Sequence, residues 1–209
     1  MTEAEWLTCP YPGRLLEGKR GFRRSSRKLR LLACGCLRRV WHLLSERGQK
    51  AIEVAERYAD GEASAEQLAE AQPPFIREGD VADNGTHFAT APRDFLRSWA
   101  SQAVSFAAWS IAEEGPAHEL EEASQCQLVR DVFGPLRFRP VSVDPLWLTS
   151  TVTSLAAGIY ADRAFDRMPI LADALEEAGC DHADILSHCR GDGPHVRGCW
   201  VVDLVLGKE

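Results

Sequence analysis

No stretch of this 209-residue chain approaches the ~18 apolar residues that a membrane-crossing helix requires. The opening, MTEAEWLTCPYPGRLLEGK, lacks a basic segment followed by an apolar one, so no secretory signal is expected. Also missing are G-x-S-x-G, H-E-x-x-H and a glycine loop able to cradle phosphate, which removes the common hydrolase, metalloprotease and nucleotide-binding patterns. There is no internal repeat. The seven cysteines are odd in number, and Cys34 and Cys36 sit too close together to suggest a disulfide framework. Reduced thiols and a cytoplasmic location are the resulting expectation.

What is present is ordinary globular composition, with 45% hydrophobic and 26% charged residues. The pattern reads as all-α: an irregular bundle of seven to nine helices with at most one or two short strands, in a single domain over 1–209. Residues 28–45 place Leu29, Leu32, Cys36, Leu37, Val40 and Leu44 at helical spacing. Ser64 and Gln67 form a capping-box pattern ahead of a short helix that Pro73-Pro74 ends. Residues 73–90, rich in Pro, Gly and Asn, read as a mobile surface loop. Further helices are expected over 92–114, 118–133, 150–165 and 167–178, with Gly179 as a stop, then over 181–189 and 194–207.

The densest chemistry is AGCDHADILSHCRGDGPHVRGCW, residues 178–200. Cys180, Cys189, His195 and Cys199 follow C-x8-C-x5-H-x3-C, the intervals of CCCH zinc fingers with the last two ligand types exchanged. Three thiolates and an imidazole suit tetrahedral Zn²⁺. A helix over 194–207 sets His195 and Cys199 one turn apart on one face. Against that set, a straight helix between Cys180 and Cys189 separates them by roughly 13 Å of axial rise. His188 is a substitute ligand, but neighbours on a helix diverge by about 100°. The plainer reading makes the cysteines small buried hydrophobes and leaves His188 at a helix C-terminus, so the cofactor expectation is none, with zinc as the alternative. Cys189 with His195 as nucleophile and base is a third reading.

The second signal is electrostatic. The net charge is −7, yet residues 14–39 sum to +9, leaving −16 elsewhere. Within the basic arm, assigned to 14–28 and continuing to Arg39, Arg20, Arg23, Arg24, Arg27, Lys28 and Arg30 form a candidate phosphate-binding set. An arm of this kind binds nucleic acid or docks on the protein's own acidic surface. Phe22 is its one aromatic residue available for base stacking.

MTEAEWL, RKLRLLACGCLRRVWHLL, AIEVAERYADG, RPVSVDPLWLTSTV and DRMPILADALEEAGC…HVRGCWVVDLVLGK resemble an uncharacterised bacterial family of short proteins that occur as many related copies per genome. The resemblance covers most of the chain, least so over 75–125. It implies a stand-alone intracellular protein and brings no activity, cofactor or catalytic residue with it. The functional expectation is a non-enzymatic helical accessory protein that meets another protein. A nucleic-acid-associated protein using 19–39, with or without C-terminal zinc, comes second, and a Cys/His enzyme third. No membrane partner is expected.

Overall fold

The computed structural model describes residues 1–16, 25–75 and 81–208, with backbone alone over 93–99 and at 137. Among these residues the fold is all-α, with no strand. The chain groups into two compact units, Met1–Arg130 and Asp131–Glu209. A chain of this length suits one core or two, and composition does not distinguish them.

The first unit holds α1 (Glu3–Thr8), α2 (Pro12–Leu16), α3 (Ser26–Arg39), α4 (Glu46–Ala59), α5 (Ala65–Ala71), α6 (Val81–Ala89), α7 (Arg93–Trp109) and most of α8 (Pro116–Phe133). At its centre α3 packs against α4, α6 and α7, and every residue from Leu29 to Leu37 is buried. The capping box expected at Ser64 and Gln67 is present at the start of α5.

Residues 81–89 depart from the expected loop. They form α6, whose buried face is made of Ala82, Asn84, Gly85, Thr86 and Ala89. Small and polar side chains carry no large-apolar period, which hides the helix from a hydropathy reading. Close packing explains the choice of residues: a Cβ at Gly85 would lie 2.6 Å from Leu37 Cδ2 and 3.2 Å from Phe106 Cβ. Thr90 donates its hydroxyl back to the Thr86 carbonyl at 2.8 Å.

Four arginines from the described part of the basic stretch are engaged inside this unit. Arg27 binds Asp60 through Nε and Nη2 at 3.1 and 3.0 Å. Arg38 grips Glu56 at 2.6 and 2.7 Å, and Arg39 grips Glu121 at 2.8 to 3.0 Å. Arg30 is only 1% exposed, and its guanidinium donates to the Ala89 and Ala91 carbonyls at 2.6 and 2.8 Å while lying over the Tyr58 ring. It thereby satisfies backbone acceptors where α6 ends.

The second unit contains the last turn of α8, then α9 (Ser150–Asp162), α10 (Met168–Glu177), α11 (Ala183–Arg190) and α12 (Trp200–Leu206), with short 3₁₀ turns between. Its core gathers Val152, Ile159, Leu171, Leu175, Ile185, Trp200 and Val201 among others. Gly179 ends α10 as expected, with the Cys180 N–H returning to the Leu175 carbonyl at 2.9 Å and the Gly179 N–H to Glu176. The last helix is shorter than the expected 194–207, because residues 191–199 are irregular and α12 starts only at Trp200. Gly134, with φ +52°, closes α8 against the Trp200 indole; a Cβ there would stand 2.6 Å from Trp200 Cγ.

Two substitutions test this packing. Gly134→Ala combines a left-handed backbone with overpacking on Trp200 and is expected to cost about 3 kcal/mol of stability in urea denaturation. Arg30→Ala leaves two buried carbonyls without donors and is expected to cost a similar amount, about 3 kcal/mol. A change below about 0.5 kcal/mol in either variant would contradict the packing described.

Candidate metal centre

Four side chains of ligand type meet in the second unit: Asp131, His188, His195 and Cys199. One ligand atom from each lies within 4.8 Å of all the others. They arrive from four places in the chain. Asp131 stands in the last turn of α8, His188 in the last turn of α11, His195 on the irregular connection, and Cys199 at the N-cap of α12.

Asp131 is the hub. Its Oδ1 is hydrogen-bonded to His195 Nδ1 at 2.6 Å and to His188 Nε2 at 3.1 Å, and its Oδ2 accepts the Val196 N–H at 3.0 Å. Cys199 Sγ lies 3.3 Å from His188 Nε2 and 3.9 Å from His195 Nδ1. The two imidazoles pack edge to face with centroids 4.9 Å apart, and His188 also rests against Trp200. Side-chain exposure is 2% for Asp131, 6% for His195 and 18% for His188. Cys199 is fully buried.

The electrostatics follow from this enclosure. Burial alone would raise the Asp131 carboxyl, but the hydrogen bonds and charges of His188 and His195 hold it below its ordinary 3.8. Burial pushes the Cys199 thiol well above 9.0, and the neighbouring carboxylate acts in the same direction. Burial also takes Cys189 up to about 12. His195 Nε2 is buried and has no hydrogen-bond partner. An orphaned imidazole nitrogen is a cost that a corner selected only for packing would avoid by using an apolar residue.

Of the four residues in the C-x8-C-x5-H-x3-C reading, His195 and Cys199 are in the cluster. Cys180 and Cys189 are not; both are buried in the apolar core of the same unit. Helix geometry accounts for the exchange. Adjacent positions on α11 point about 100° apart, so with Cys189 turned into the core, His188 is free to face Asp131. The pairing of His195 with Cys199 does not come from a shared helical turn, since residues 191–199 are not helical. The His195 imidazole is engaged by Asp131, while Cys189 lies in the apolar core. Asp131 was not a sequence candidate. Its signal is nonetheless visible in LVRDVF: a carboxylate amid apolar residues near a helix C-terminus, where a negative charge is disfavoured.

Of the phosphate-binding set, Arg20, Arg23 and Arg24 lie outside the described residues. Arg27 is engaged by Asp60 and Arg30 is buried against backbone carbonyls. Lys28 stands in the first turn of α3. No family model, curated protein or solved structure matches this chain.

Thiol chemistry checks the burial. Iodoacetamide applied to the native protein at neutral pH is expected to label Cys9, the half-buried cysteine, while Cys189 and Cys199 stay unmodified until denaturant is added. Mass spectrometry that finds Cys199 labelled as fast as Cys9 would contradict the enclosed thiol.

Proposed function

We propose that this chain is a non-enzymatic helical accessory protein whose C-terminal unit is organised by a bound divalent transition metal. The observation that carries the reading is the convergence of Asp131, His188, His195 and Cys199 to within 4.8 Å from four separate positions in the chain. Mixed carboxylate, imidazole and thiolate donors are the set such metals take. The enclosure favours a structural role, because a catalytic metal keeps a coordination position open to substrate or water.

The working part of the protein is then its surface, and the partner is another protein. Leu146 and Ile170 of the second unit are aliphatic and exposed, offering apolar contact points. The engagement of Arg27 and Arg30 inside the first unit favours this reading over nucleic-acid binding. Among the described residues no helix is long and apolar enough to cross a membrane.

Elemental analysis of the purified full chain, produced with zinc in the medium, is the direct test. About one equivalent of metal is expected, lost in Asp131→Asn and Cys199→Ser and retained in Cys180→Ser. Loss in Cys180→Ser with retention in Asp131→Asn would shift the site back to the sequence-spaced cysteines. A metal-free wild type that is fully folded would remove the proposal altogether.

A further inference from the structure

We infer that the metal is Zn²⁺, held in a closed, electrically neutral tetrahedron by Asp131 Oδ1, His188 Nε2, His195 Nδ1 and Cys199 Sγ. This rests on the metal-binding reading above and names its ligand. Three independent features support it.

The first is the size of the polyhedron. With Zn–N and Zn–O near 2.0 Å and Zn–S near 2.3 Å, a regular tetrahedron has N···O edges of about 3.3 Å and N···S edges of about 3.5 Å. The observed N···O separations are 2.6 and 3.1 Å, and the N···S separations are 3.3 and 3.9 Å. Four of the six edges are thus within about 0.7 Å of the regular values, and all four atoms lie within 4.8 Å of one another.

The second is charge. One carboxylate and one thiolate carry two negative charges, which a divalent ion cancels. A monovalent ion would leave a buried net negative charge and a trivalent ion a positive one, each costly where water is excluded. On binding, the Cys199 S–H bond breaks, the sulfur lone pair bonds to the metal and the proton leaves to solvent. On each coordinating imidazole a neutral ring shifts its proton to the other ring nitrogen, and an imidazolium loses one proton to solvent.

The third is donor type and number. Mg²⁺ and Ca²⁺ require six or more mainly oxygen ligands, and this site supplies one carboxylate. Its other oxygen is held by the Val196 N–H, which orients Asp131 as a single-oxygen donor. Two imidazoles and one thiolate complete the borderline-soft set characteristic of Zn²⁺.

The test uses cobalt as a spectroscopic substitute in the metal-free full chain. Co²⁺ is expected to bind with about 1:1 stoichiometry, giving the intense visible bands of a tetrahedral ion and a near-ultraviolet thiolate-to-cobalt band. One equivalent of Zn²⁺ should erase both, whereas a large excess of Mg²⁺ should not. Cys199→Ser should remove the thiolate band, and Cys189→Ser and Cys180→Ser should keep it. His188→Asn, at the most exposed of the four positions, should weaken Zn²⁺ binding beyond the roughly 10- to 100-fold that loss of an outer-shell partner causes. Its far-ultraviolet dichroism separates ligand loss from unfolding. Cobalt bound with a weak octahedral spectrum, or a thiolate band that survives Cys199→Ser, overturns the tetrahedral assignment while leaving metal binding in place. Retention of neither Co²⁺ nor Zn²⁺ by folded protein overturns both.

Discussion

The carboxylate of Asp131 is the constraint around which the second unit is arranged. A charge taken out of water must be matched by donors or by opposite charge, and Asp131 is nearly inaccessible. His188, His195 and the Val196 N–H answer that demand. In doing so they tie the last turn of α8 to α11 and to the irregular segment before α12. Cys199 completes the group because α12 begins where Trp200 lies against the backbone of Gly134, just past Asp131. A metal at this point would join the end of α8 to the stretch from His188 to Cys199, the same topological service that a disulfide performs in an oxidising compartment.

The first unit handles charge differently. Its arginines Arg38 and Arg39 each meet a carboxylate from another helix, Arg27 meets Asp60 at the C-cap of α4, and Arg30 finds two backbone carbonyls. Glu56 and Glu121 are themselves buried, so these pairs depend on two-point geometry to offset desolvation. The strongly basic stretch and the acidic remainder are therefore partly two halves of one internal network. Net charge by segment does not reveal this, since it counts charges without saying which face one another.

How far the sequence could be read depended on the kind of signal. Helices with large apolar residues at regular spacing, such as α3, α9 and α10, were recognisable, as were the Ser64 cap and the Gly179 stop. The α6 helix was not, because its buried face is alanine, glycine, threonine and asparagine. The division into two units and the shortness of α12 were also hidden. Both depend on which residues share a core. At the candidate site, residue type singled out the stretch that carries His188, His195 and Cys199. It missed Asp131, which lies 57 residues before His188 and is brought to it only by folding.

By itself the sequence determined the class of the fold, the want of a long apolar span and the presence of thiol and imidazole donors near the C-terminus. These are local properties, set by periodicity and composition. Tertiary structure decided which donors meet. It turned Cys180 and Cys189 into the apolar core, set His188 against Asp131, and placed His195 and Cys199 together without a shared helical turn. The physical reason is that coordination and ion pairing act over a few ångströms in space, while spacing along a chain fixes distance only within one regular element.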